Sequence, residues 1–204
     1  MARDIIAPTG MWRSWSWIRT VWWSHTSLPR HTSLGSARAL QALVPLLADA
    51  ARAAGVERFV FISTGLVYGP KGGRQVDEDT ECAPVDAYPL SKLAAERFLL
   101  ALPDLDVRIL RLPFVYGDGD PHIAEAVPFM KAFPAEQRLA IAHHADVAQA
   151  VALVVEAPSL AHRVYDVVDD EAPDHATLLA AVGAPPPDGS ERERARSFDV
   201  LPVG

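Results

Sequence analysis

Four consecutive apolar residues, Phe59-Val60-Phe61-Ile62, stand between Arg58 and Ser63-Thr64-Gly65. A strand with one face in water alternates apolar and polar residues. This run does not alternate, so it suits a parallel strand buried on both faces. Val107-Arg108-Ile109-Leu110-Arg111-Leu112 and Arg163-Val164-Tyr165-Asp166-Val167-Val168 read as two further strands. Helix patterns fill the intervals. Ala37 to Ala54 is rich in Ala and Leu and is ended by Gly55, with Pro45 predicting a kink or a start at that point. A second helix is predicted from Asp86 to about Leu102, stopped by Pro103. Others are expected near 122–132, near 145–156 and from Thr177 to Val182. Gly65 to Pro84 and Tyr116 to Pro121 read as loops. Strands alternating with helices predict an α/β fold, a doubly wound parallel sheet.

With 204 residues, half of them apolar or aromatic, the chain is long enough for one domain, or one domain and a small lobe. A net charge of −7 argues against a nucleic-acid-binding domain, and the apolar content argues against disorder as a whole. The single cysteine, Cys82, excludes an internal disulfide framework and a Cys-rich zinc site. No apolar run approaches the roughly 20 residues of a membrane span, and no apolar region with a cleavage site follows Met1. The expectation is a soluble, cytoplasmic protein.

Composition changes along the chain. Residues 1–40 carry five arginines against Asp4, and all five tryptophans lie within the first 23 residues. Asp4-Ile5-Ile6-Ala7 reads as a short strand. Met11, Trp12, Trp15, Ile18, Trp22 and Trp23 share one broad helical face, although Arg19 falls within it. Such a segment suits a cover for part of the core, a targeting or membrane-surface helix, or a stretch foreign to the fold that follows. The expected organisation is an atypical segment over 1–35, a core over 36–183 and a mobile tail over 184–204.

Tyr88 and Lys92 stand four apart on the helix that opens near Asp86, so phenol and ammonium share one face. A nearby ammonium favours the phenolate and is expected to lower the tyrosine pKa, giving a group that exchanges protons with a substrate oxygen. Alone the pair is weak, since an exposed Tyr and a solvated Lys are common. Ser63 and Thr64 strengthen it, because hydroxyls at the carboxyl end of a parallel strand sit where such sheets bind ligands. Ordinary turn capping is the alternative for both.

Ser63-Thr64-Gly65-Leu66-Val67-Tyr68-Gly69, then Tyr88-Pro89-Leu90-Ser91-Lys92, then Leu110-Arg111-Leu112-Pro113-Phe114-Val115-Tyr116-Gly117 resemble the extended short-chain dehydrogenases, the NAD(P)-dependent epimerase/dehydratase family. His143-His144-Ala145-Asp146-Val147-Ala148 and Gly55-Val56-Glu57-Arg58-Phe59-Val60 resemble two further stretches of it. The resemblance covers about Ser36 to Gly183. It implies hydride transfer at a carbinol or ketone carbon, as a whole reaction or as the first step of an epimerisation or dehydration. It implies Tyr88 as acid/base, Lys92 as the group that holds the nicotinamide ribose and tunes Tyr88, and Thr64 as the partner of the substrate oxygen. Ser63, Pro113, Phe114 and Val115 would lie along the cofactor. Tyr68 and Phe114 would lie on the substrate side, with packing the alternative for Tyr68 and Tyr116. NAD or NADP is the implied cofactor, a sugar or other hydroxyl or carbonyl compound the implied substrate, and a homodimer the implied assembly.

Three features depart from the pattern. Phe114 stands where nucleotide-sugar members often have Asn. The stretch from Gly117 to His143 is short for the family's substrate lobe. Only Gly10 and Gly35 precede Gly55, so the Gly-rich turn that receives the pyrophosphate is not visible, nor is the acid expected about 20 residues beyond it. The expectation is a Rossmann-like sheet truncated in its N-terminal half, with a small C-terminal substrate lobe. The rival reading is a non-catalytic pseudoenzyme or partner-binding module. His143, His144 and Asp146 carry no metal expectation, because the resemblance already accounts for them. Asp77-Glu78-Asp79 and Asp169-Asp170-Glu171 read as solvated loops, and Cys82 has no basic neighbour to activate it.

Overall fold

The computed structural model describes residues 34–72, 74–190 and 201–202. The strand over Asp4–Ala7 and the Trp-rich face lie outside these residues, as does most of the expected tail.

The described chain runs α1 (Leu34–Ala53), β1 (Arg58–Thr64), a 3-10 turn (Gly65–Tyr68), β2 (Gln75–Val76), α2 (Ala87–Leu100), β3 (Asp106–Leu112), β4 (Phe114–Tyr116), α3 (His122–Ala132), β5 (Ile141–His143), α4 (His144–Glu156), β6 (Val164–Asp166), α5 (His175–Ala181) and β7 (Leu201–Pro202). The main sheet is parallel with order β1-β3-β6. Its register sets Phe59 beside Val107 and Thr64 beside Leu112. Among the described residues β1 is hydrogen-bonded on its β3 side alone.

The unbroken apolar run is explained by helices on both faces. Phe59, Phe61, Val107 and Ile109 pack with Val44, Ala48 and Ala51 of α1 and Ala95 and Leu99 of α2. Val60 and Leu110 pack with Val154 of α4 on the opposite face. Successive strand residues point to opposite faces, so both parities must be apolar here. This is the doubly wound arrangement. A third cluster joins Ala126 and Met130 of α3 to Ile141 of β5 and Leu178 and Leu179 of α5, with Phe114 packed against it.

Three details differ from the sequence reading. Helix α1 runs through Pro45 rather than starting there. The loop over Gly65–Pro84 contains the 3-10 turn and β2. The parallel pair β4–β5, with Phe114 beside Ile141, lies beyond the strand expected to Leu112 and before the helix expected near 145, in stretches with no predicted strand. Gly69 lets the chain turn back after the 3-10 turn. It has φ +69°, and a Cβ there would stand 1.9 Å from the Ala83 carbonyl oxygen. No described helix is long and apolar enough to cross a membrane.

Candidate active site

The carboxyl ends of β1 and β3 and the first turns of α2 meet at one place. Thr64 ends β1 in extended conformation and caps the 3-10 turn, its Oγ1 accepting from the Leu66 N–H at 3.3 Å. Tyr88 lies in the first turn of α2, with its phenol beside the Thr64 side chain. Lys92 follows one turn later, 2% exposed. Its Nζ donates to the Ile62 carbonyl at 2.9 Å and stands 5.0 Å from the Phe61 ring centroid and 5.9 Å from that of Tyr88. Thr64, Tyr88 and Lys92 are therefore brought together by one helix docked on one strand end.

A family model described as the NAD dependent epimerase/dehydratase family matches residues 38–168. The chain belongs to this family. Mouse dTDP-D-glucose 4,6-dehydratase is 39% identical over 80 residues, which are 38% of this chain and 22% of that protein. An uncharacterised UDP-glucose epimerase of Bacillus subtilis is 38% identical over 85 residues, 40% of this chain and 26% of that protein. Among solved structures, the UDP-glucose 4-epimerase of Thermus thermophilus in complex with NAD superposes with a TM-score of 0.63 at 27% identity, over 79% of this chain and 60% of that one. The matches thus span about a quarter of these curated relatives and less than two thirds of the structural one.

The electrostatics of the triad differ from the sequence expectation. Burial pushes the Tyr88 phenol up to about 12, and the neighbouring Thr64 hydroxyl opposes this only in part. The i, i+4 spacing of Tyr88 and Lys92 predicts a lowered value. The ammonium instead turns toward the Ile62 carbonyl and lies over the ring. Lys92 is itself lowered by burial to about 8, with Glu96 pulling the other way. Between about pH 8 and pH 10.5 the unfolded Lys92 binds a proton that the folded one does not, so its contribution to stability rises with pH across that window. The stability of wild type minus that of Lys92→Met, measured in urea, should rise between pH 8 and pH 10. A gap independent of pH would contradict the lowered value.

Sequence reasoning missed the groups beneath the triad. Glu96, 1% exposed, accepts from the Ser63 hydroxyl and from Arg111, whose Nη2 lies 2.7 Å from Oε2 and whose Nε is 3.3 Å from both oxygens. Arg111 Nη1 also donates to the Tyr68 hydroxyl at 2.9 Å, and that hydroxyl donates to Asp166 at 2.6 Å. The network joins β1, α2, β3, the 3-10 turn and β6. Burial, with the adjacent Asp166 carboxylate, pushes the Tyr68 phenol well above its ordinary range, and burial raises Asp166 to about 6. A signal was present: Arg111 is a charge inside an apolar strand, and Glu96 follows Lys92 by four residues on the same helix face.

Of the other site candidates, Ser63 is buried against Glu96, and Tyr68 is fully buried with its hydroxyl in the network. Pro113, Phe114 and Val115 are half-buried just beyond β3. Phe114 leans on the α3 cluster, with its ring 6.4 Å from that of His122. His143 caps α4 through Nδ1, which accepts from the Ala145 N–H at 3.2 Å. The His144 ring occupies the space a Cβ on Gly117 would need, 1.8 Å away. Burial raises the Cys82 thiol, which disfavours its thiolate. Among the described residues no three His, Cys, Asp or Glu side chains group as a metal site.

Proposed function

We propose that this chain carries the catalytic half of an NAD(P)-dependent oxidoreductase or epimerase acting at a carbinol or ketone carbon. The Tyr88 phenol beside the Thr64 side chain and the buried Lys92 carries this reading. It places two hydroxyl groups where one substrate oxygen can meet both. The names of the relatives, a dehydratase and two epimerases of nucleotide sugars, support the same reaction class.

The residues present fit the nicotinamide-ribose end of a dinucleotide. An ammonium has three donors, and Lys92 directs one to Ile62; the other two meet no acceptor among the described residues. Hydroxyls of a ribose satisfy such donors. Lys92 would hold that ribose, with Ser63 behind it and Pro113, Phe114 and Val115 alongside. The phosphate end finds no comparable fit among the described residues. Gly117 and Gly119 precede α3, but Asp118 and Asp120 accompany them and repel an anion. When bound, the nicotinamide supplies the hydride donor or acceptor that side chains lack.

Thr64 and Tyr88 orient the substrate oxygen. With its pKa near 12, Tyr88 is protonated at neutral pH and is ready to donate to that oxygen as a carbonyl is reduced. In the oxidising direction it must accept a proton, and a charged Lys92 beneath its ring stabilises the phenolate that does so. Phe114 gives the substrate side an apolar wall, which suits a sugar or other hydroxyl or carbonyl compound lacking a partner for an amide at that point. Titration of the full chain with NADH and NADPH, read by tryptophan fluorescence, tests the reading. Saturable micromolar binding of either is expected. A folded protein that binds neither would reject the proposal.

A further inference from the structure

We propose that Glu96 is the positioning residue of this site: it clamps α2 to Ser63 of β1 and Arg111 of β3, and so holds Lys92 against the end of β1 with a carboxylate charge beside its ammonium. This rests on the functional reading above. Two contacts fix α2 on the strand end, Lys92 to the Ile62 carbonyl and Ser63 to Glu96, on consecutive residues of β1 and one helical turn apart on α2. A helix held at two such points can neither slide nor rotate, and Tyr88, one turn before Lys92, is thereby kept against Thr64. Arg111 fixes the carboxylate itself through both oxygens, so Glu96 cannot swing away.

The charged and titratable groups that share this space are Tyr88 from α2, Arg111 from β3, Tyr68 from the 3-10 turn, Asp166 from β6 and Cys82 from the loop. Glu96 is the one whose charge reaches Lys92 and opposes its burial. A group that only filled space would leave the titration of Lys92 where it is.

The chain has three lysines, Lys71, Lys92 and Lys131, so the Lys92 side chain can be followed in the full protein by NMR of 13C-labelled lysine. Lys92→Met assigns its resonance. Glu96→Gln is expected to lower the Lys92 titration midpoint by at least about one pH unit. Glu96→Met with Arg111→Met removes the whole pair without stranding a charge, so its fold survives where the single change fails. Its Lys92 midpoint is expected to fall as well. A folded double variant with the wild-type midpoint would overturn the proposal. The titration needs no cofactor, so a wild type that binds neither NADH nor NADPH would reject the functional reading and leave this result standing.

Discussion

Tyr88→Phe is expected to lower turnover of a carbinol or ketone substrate by about 10²–10⁴-fold, the range for removing a positioned general acid or base. NADH affinity and the urea midpoint should stay near their wild-type values. The change deletes one oxygen and keeps the ring, so Lys92 still lies over an aromatic face. Thr64 still accepts from the Leu66 N–H, and its own hydroxyl proton loses only the Tyr88 oxygen as a neighbour. The loss therefore isolates proton transfer from packing. Thr64→Val should act differently, because it removes the second anchor of the substrate oxygen together with the cap on the Leu66 N–H. Turnover that survives Tyr88→Phe would assign the proton to another group.

The strands and helices of the main layer were legible because burial on both faces writes itself into the chain. Phe59-Val60-Phe61-Ile62 has no polar parity to spare, and α1 and α4 cover its two sides. Strands β4 and β5 were not legible. Each is three residues long and pairs with a distant partner, so no periodic pattern marks it. His143 looked like the approach to a helix and is also the last residue of β5. The positions of Thr64, Tyr88 and Lys92 followed from family-like motifs, and the fold brings them together. Their electrostatics did not follow, since an i, i+4 spacing fixes distance along a helix and says nothing of the dielectric around it. Burial reversed the direction expected for Tyr88. The network of Ser63, Tyr68, Glu96, Arg111 and Asp166 was hidden for a different reason. Its members come from five elements, and only the register of β1, β3 and β6 sets them side by side.

That network carries the largest expected effect on stability. Arg111→Met should cost about 3–5 kcal/mol, because it leaves the Glu96 carboxylate buried with the Ser63 hydroxyl as its remaining partner. For a domain of this size that moves the urea midpoint down by about 1 M or more. Tyr68 loses its donor at the same time and keeps only its bond to Asp166. The double variant Arg111→Met with Glu96→Met should recover most of the loss, since two apolar side chains of similar volume replace a desolvated ion pair. The difference between single and double separates two quantities that one substitution confounds. The single change measures the penalty of an unpaired buried charge. The double change measures what the pair adds over hydrophobic packing, and that is expected to be small. If the single variant were as stable as wild type, water would have to reach Glu96. If the double variant were no more stable than the single, the contribution of Arg111 would lie in its contacts with Tyr68 across the 3-10 turn, where its guanidinium stands 4.9 Å from the ring centroid.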